Sequence, residues 1–274
     1  MTIERTEILT SGPAEGLAGL LGVDLPDLGG AGLPALWHWV YLLDRPRQAD
    51  LGADGHPVRG VVPVPPGPGL RRMWASGRVR MIGALVVERP ATRRSWVGRT
   101  EDKVGRSGPM TFVTVRHEVV QNGHVVVEED QNIVYRHPPE TSAPSLESAQ
   151  SAYADVPPEA GEWAIEPSPT LLARFSALTY NGHRIHYDRE FTRDVEGYPG
   201  LLVHGPLQAI AMAEAARRLL GGAVAPVDFD YRLVAPLFDH QGMVVGAEWE
   251  GMTIRTSVRD RAGRATAEGR LVRL

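Results

Sequence analysis

Between Pro206 and Gly221-Gly222 lies an alanine-rich segment, Leu207 to Leu220. In it Leu207, Ile210, Ala211, Glu214, Ala215, Arg218 and Leu219 recur at helical spacing. Proline near the first turn costs nothing, because that N–H has no partner inside a helix. The glycine pair stops the helix. Four segments that read as strands follow: Val227 to Val234, Met243 to Glu250, Met252 to Arg259, and Ala265 to Leu274, the last reached through a turn at Arg261-Ala262-Gly263. A helix this apolar must be covered, and a meander of strands can wrap it. The expectation is an α+β fold.

Upstream of the helix the stretch Phe175 to Gln208 concentrates the chemistry. Asn181, His183 and His186 fall within six residues, Tyr198-Pro199-Gly200 makes a turn, and His204-Gly205-Pro206 opens the helix. A helix N-terminus presents unpaired N–H groups and the positive end of the helix dipole. Such a place suits a developing oxyanion. Imidazoles and an amide thus lie close in sequence to a candidate oxyanion hole.

TYNGHRIHYD followed by LLVHGPLQA resembles the hydratase motif of the MaoC-like hotdog enzymes. It is most similar to the mesaconyl-C4-CoA and itaconyl-CoA hydratase branch, related to fungal mitochondrial 3-hydroxyacyl-thioester dehydratases. The likeness extends through Asp54-Gly55-His56-Pro57, Gly60, Arg71 to Trp74, Lys103, Gly105 to Pro109, Phe112 to Thr114 and Tyr135-Arg136, most of the chain. It implies a tandem (double) hotdog, each half an antiparallel sheet wrapped around a helix. Residues 1–140 would be the N-terminal half, 141–160 a linker, and 161–274 the C-terminal half carrying the motif. It also implies a cofactor-independent hydro-lyase acting on an acyl-CoA. Tandem hotdogs would mimic the dimer of single-hotdog relatives, and a homodimer of this chain is one assembly open to it.

In that family the motif supplies an aspartate and, five residues later, a histidine. Here the histidine is His186 and the aspartate position holds Asn181. An amide is no base, but it orients a water by donating and accepting. His186 would transfer the proton, since an imidazole titrates near neutrality. His183 supplies a second imidazole or fixes the loop. Gly205 would supply the oxyanion amide, its missing side chain letting a thioester carbonyl approach. Asp188 reads as an N-cap. Tyr180 and Tyr198 are candidates for the acyl pocket, and His204 either holds the turn or touches substrate. A dicarboxylic acyl-CoA needs an arginine for its free carboxylate. Candidates are Arg184, Arg72 and Arg232.

The N-terminal half yields less. Ala14 to Leu21 reads as a short helix. Leu33 to Leu43 is an apolar, aromatic run, helix or strand, that must be buried, with His38 a packed histidine between Trp37 and Trp39. It is a candidate for the matching central element. Leu51 to Pro57 has turn composition. Arg71 and Arg72 beside Trp74 either grip phosphates or an adenine ring or form a surface pair on a strand. Residues 76–136 read as antiparallel sheet, with strand candidates at Arg78 to Ile82, Ala84 to Arg89, Ser95 to Lys103, Met110 to Val120 and His124 to Tyr135. Asn122-Gly123 gives a hairpin signal. Ser168 and Pro169 start a short helix, Thr170 to Leu178.

Composition closes off other classes. No cysteine is present, which removes disulfides, thiolate catalysis and Cys-based zinc sites. His183-x-x-His186 without a carboxylate at ligand spacing is weak evidence for a metal, and none is expected. A net charge of −4 without a basic block gives no reason for a nucleic-acid partner. No apolar run reaches membrane-span length and the first residues lack a signal-peptide pattern, so a cytoplasmic enzyme is the expectation. Three rivals remain: a hotdog thioesterase, a dehydratase of carrier-protein-bound intermediates, and a non-catalytic acyl-binding subunit.

Overall fold

The computed structural model describes residues 2–67, 69–105, 108–137, 155–224 and 226–274. Among these residues ten strands join in one sheet: β1 (Thr2–Ile8), β2 (Arg71–Met81), β3 (Pro90–Gly105), β4 (Gly108–Gln121), β5 (His124–Arg136), β6 (Trp163–Ile165), β7 (Val227–Leu233), β8 (Met243–Glu250), β9 (Thr253–Arg259) and β10 (Ala265–Arg273). Their spatial order is β1-β3-β4-β5-β2-β7-β10-β9-β8-β6, with every pair antiparallel. Each half contributes five consecutive neighbours. The halves meet where β2 pairs with β7, from Ser76↔Arg232 to Met81↔Val227.

Four helices accompany the sheet among the described residues: α1 (Ser11–Leu21), α2 (Pro169–Leu178), α3 (Arg189–Asp194) and α4 (Gly205–Leu219). The α4 helix packs across β7 to β10 and is buried continuously from Leu207 to Ala216. Ser168 caps α2 by accepting from Leu171 N–H, with Pro169 in the first turn. Asp188 caps α3 by accepting from Phe191 N–H at 3.0 Å. These local signals were all expected from composition. The β4–β5 hairpin turns on Asn122 and Gly123, both at positive φ, as the Asn-Gly pair predicts.

Two expectations for the N-terminal half change, and one strand was not foreseen. Leu33 to Leu43 is buried, but it forms neither a long helix nor a strand; it is irregular chain, with a turn before and a bend after one 3-10 turn, Trp37–Val40. The aromatic bulk that demands burial also breaks helical periodicity. Ala84 to Arg89 is not a strand: Gln121 binds the main chain of Val86 through both ends of its amide, at 2.9 Å each, in place of a ladder. Thr2–Ile8 is an edge strand paired with β3, hidden in the sequence because its half-exposed face carries Arg5 and Glu7 beside a single apolar residue, Ile3. Residues 141–154 of the expected linker, and Arg106 and Ser107 within the Gly105–Pro109 stretch of the likeness, lie outside the described residues.

A polar contact joins the halves inside the core. Glu214, fully buried on α4, accepts from Trp37 Nε1–H at 2.8 Å and from Arg217 Nε–H at 3.0 Å. Removing one partner of a buried charge pair costs far more than the pair contributes, because the other is stranded. Glu214→Ala should therefore lower unfolding stability by about 3–5 kcal/mol, read as a drop in the denaturant midpoint with unchanged slope.

Candidate active site

A cavity of about 720 Å³ opens where the two halves face each other. From the C-terminal half it receives Asn181, His183, His186, Tyr198 and Gly205; from the N-terminal half, Asp54, His56, Arg71, Arg72 and Trp74.

Chain economy positions the C-terminal set. After α2 the chain turns through Tyr180, at φ 52°, and Asn181 folds back so that its Oδ1 accepts from His183 N–H at 2.9 Å. One lone pair of the amide oxygen expected to orient a water is thus engaged by the backbone. A 3-10 turn, Arg184–His186, presents His186. Leu202 N–H donates to Ile185 carbonyl at 2.9 Å, and His186 Nδ1–H donates to Leu202 carbonyl at 2.7 Å. Since a carbonyl only accepts, the proton sits on Nδ1 and Nε2 carries the lone pair. Leu202 is three residues before Gly205, so the same bonds tie the imidazole to the start of α4.

His204 lies under this arrangement. Its ring stacks on His186 with centroids 3.6 Å apart and planes within 17°, and its Nε2 shares a 2.9 Å hydrogen bond with Ser176 Oγ. It makes no side-chain cap on α4. His204 is fully buried and supports the His186 ring without reaching the cavity. Gly205 does reach it, but for a different reason than expected. A Cβ there would fall 2.2 Å from Leu233 Cδ1, so the glycine makes room for Leu233, itself a cavity residue.

The sequence reading missed Asp54 and His56 as site residues. Their loop, Leu51 to Pro57, closes on itself through Gly52 N–H to His56 carbonyl (2.8 Å) and Gly55 N–H to Gly52 carbonyl (2.9 Å). Asp54 accepts from the His56 backbone N–H at 2.9 Å and from its Nδ1–H at 2.8 Å. The loop then docks on the histidine segment. Arg184 N–H donates to Asp54 carbonyl at 2.9 Å, and Gly55, at φ 86°, lies so close that a Cβ would sit 1.8 Å from Gly182 carbonyl. The His56 and His183 rings come within 3.9 Å. The signal was present in Asp-Gly-His-Pro, whose turn composition concealed it.

The arginines separate by surroundings. Arg71 is engaged, its Nε 2.7 Å from Glu196 Oε2 and its guanidinium over Tyr198. Arg184 is held by Asp188 and by Ala53 carbonyl, outside the cavity lining. Arg232 is exposed on β7 and paired with Glu268, away from the cavity. Tyr180 is also exposed and outside it. Arg72 alone of the three proposed carboxylate partners lines the cavity, and its Nε is buried with no hydrogen-bond partner among the described residues.

Burial keeps the imidazoles neutral. It pushes His186 down to about 4, against the help of its bond to Leu202. His183 falls further, by burial and then by the neighbouring His56 and His186. Burial also lowers His56, although Asp54 pulls the other way, and places His204 well below its usual range. Asp54 is partly buried, yet the hydrogen bonds and charge of His56 hold it below the ordinary carboxylate value. Ligand-capable atoms of Asp54, His56 and His183 all lie within 4.8 Å of one another, so the carboxylate absent from the local sequence is supplied by the other half.

Comparison with known proteins places this geometry. Residues 36–239 match the sequence profile of the hydroxyacyl-thioester dehydratase type 2 family. The mesaconyl-C(4)-CoA hydratase of Chloroflexus aurantiacus is 46% identical over 209 residues, covering 76% of this chain and 71% of that protein. Among solved structures, HtdX of Mycobacterium tuberculosis superposes with a TM-score of 0.70 at 13% identity, covering 100% of both chains. A double-hotdog protein of the same organism gives 0.56 at 15% identity, covering 99% of this chain and 94% of that one. These last two likenesses fix the fold as a double hotdog.

Two outcomes are expected. Unfolded histidines titrate near 6.5 while His186 in the folded chain waits until about 4. Within that window the unfolded chain binds protons the folded one refuses, so stability is full above it and falls as pH drops through it. Thermal midpoints measured from pH 7 to 4 should decline, and His186→Gln should flatten the slope. Gly55→Ala should cost about 1–3 kcal/mol from backbone strain alone, and more from the clash with Gly182, visible as a lowered midpoint.

Proposed function

The chain belongs to the hydroxyacyl-thioester dehydratase type 2 family, and from that premise we propose that it hydrates an enoyl-CoA, or dehydrates the corresponding 3-hydroxyacyl-CoA, in the cavity between its halves. The observation that carries this reading is the tautomer of His186. Its Nδ1–H is spent on Leu202 carbonyl, so a neutral imidazole presents Nε2 as a base beside the first residue of α4.

In the hydration direction, water oxygen attacks the β-carbon while one of its protons passes to His186 Nε2. The π electrons move onto the thioester oxygen, where the Gly205 N–H stabilises the charge. As the enolate collapses, the imidazolium returns the proton to the α-carbon. The active site ends as it began, so no cofactor enters the balance. Burial assists, because it lowers His186 enough to keep it unprotonated at neutral pH and makes its conjugate acid a strong donor.

The substrate class we infer is a branched C5 dicarboxylic acyl-CoA, such as mesaconyl-C4-CoA. Support comes from the 46% identity to the Chloroflexus hydratase and from Arg72, the one of the three candidate arginines that lines the cavity. A free carboxylate of the substrate would pair with its guanidinium. Trp74 and Tyr198 line the remaining wall.

The test is the loss or gain of enoyl-thioester absorbance with purified protein, checked by a mass change of one water. His186→Ala should lower kcat by about 10²–10⁴; an unchanged kcat removes His186 from the chemistry. Arg72→Met should raise KM for a dicarboxylic ester by about tenfold or more and leave a monocarboxylic ester nearly unaffected. Release of free CoA thiol in place of hydration would point to a thioesterase.

A further inference from the structure

Water addition needs a second acceptor besides the base, to hold the attacking oxygen in line with the β-carbon. The motif position that would supply one holds Asn181, and one lone pair of its oxygen already accepts from His183 N–H at 2.9 Å. Asn181 therefore brings two donors and a single remaining acceptor site, and no charge. The cavity contains another acceptor, brought from the other half of the chain. His56 donates Nδ1–H to Asp54 at 2.8 Å, which leaves Nε2 with its lone pair.

We propose that His56 is a second catalytic residue of the hydratase site: its Nε2 accepts a hydrogen bond from the attacking water, and Asp54 is the positioning residue that fixes its tautomer and ring. This rests on the hydratase reading above. Bond changes stay as they were. One water proton goes to His186 and then to the α-carbon; the proton that faces His56 remains on oxygen and becomes part of the 3-hydroxyl group. His56 contributes orientation, and its dyad with Asp54 does by geometry what a motif aspartate would do by charge.

Three independent features argue that the dyad is built for this place. Both residues line the cavity, with side chains 42% and 22% exposed for Asp54 and His56. Their loop is clamped on the histidine segment by Arg184, which donates from its backbone to Asp54 carbonyl (2.9 Å) and from its guanidinium to Ala53 carbonyl (3.1 Å). Finally, only glycine at both 55 and 182 allows the main chains to approach so closely, since a Cβ on either would sit within 3 Å of the other's carbonyl oxygen. That approach sets the His56 ring 3.9 Å from His183, which in turn is 5.5 Å from His186. The groups form one continuous row of imidazoles along the cavity wall.

The experiment compares wild type, His56→Ala, His56→Gln and Asp54→Asn by steady-state kinetics, with and without added imidazole, and by thermal melting. His56→Ala should lower kcat by about a hundredfold with KM within about threefold, and imidazole should restore part of the rate. His56→Gln, whose amide oxygen falls near the position of Nε2, should exceed His56→Ala. Asp54→Asn should lose about tenfold in kcat and gain nothing from imidazole. A wild type that turns over no enoyl-thioester sinks the hydratase reading and this inference with it. A working wild type beside an unimpaired His56→Ala overturns the inference alone. So does a His56→Ala whose loss appears in KM and melting temperature and is not restored by imidazole. Loss of wild-type turnover on chelation, reversed by a divalent ion, would make Asp54, His56 and His183 a metal centre and also overturn it.

Discussion

The antiparallel pairing of β2 with β7 is the contact on which the molecule depends. It fuses two five-stranded halves into one sheet, and its length decides where the cavity lies. β7 covers only Ser76 to Met81 of β2, while β5 continues along β2 to Arg71. The unmatched end, Arg71 to Ala75, therefore overhangs the junction, and a register shift between Trp74 and Ser76 re-aims it. Those overhanging residues line the cavity, as do Leu233 to Leu237, where β7 ends and the chain departs. The site is what remains when two strands of unequal reach are paired. Neither half has a complete pocket alone.

Much of the C-terminal half was legible because its signals are local. A serine cap with proline, an aspartate cap, an alanine-rich periodicity and a glycine pair act within one turn of chain, so the sequence states them directly. The N-terminal half is organised by contacts far apart in sequence. Trp37 is placed by Glu214, 177 residues away, and Trp39 and His38 by Glu129, some 90 residues away. No window of the sequence contains these pairs. An aromatic run whose polar atoms are satisfied at such range has no reason to be helical or extended, and it is neither over most of its length. β1 escaped notice for the opposite reason: a charged edge strand protects itself from unwanted pairing by not looking like a core strand.

The same distinction applies to the site. Asn181, His183, His186 and Gly205 were found because they lie on one segment, and the structure gathers all four at one cavity. Asp54 and His56 share that cavity from a loop 125 or more residues upstream, with a composition any surface turn would have. Arg232 failed as a candidate because the strand alternation of β7 turns it outward toward Glu268. Arg72 stays because β2 overhangs. Residue type nominated all of these positions; strand register chose among them.

The replacement of a motif aspartate by Asn181 is then less a loss than a redistribution. A carboxylate at 181 would sit beside His183 and the buried His186, where desolvation favours the neutral form of any acid lacking strong partners. Placing the negative charge on Asp54, where two N–H groups of His56 hold it, keeps a carboxylate ionised without leaving it unpaired. Asn181 is free to become structural, fixing the turn that delivers His183. Such an exchange requires two different halves in one chain, because in a symmetric pair of identical halves each loop would have to perform both duties. In the proposed mechanism one half supplies the base and the oxyanion amide, and the other supplies the acid-bearing loop and the arginine. The close approach of Gly55 to Gly182 is the point at which the two contributions are brought into register.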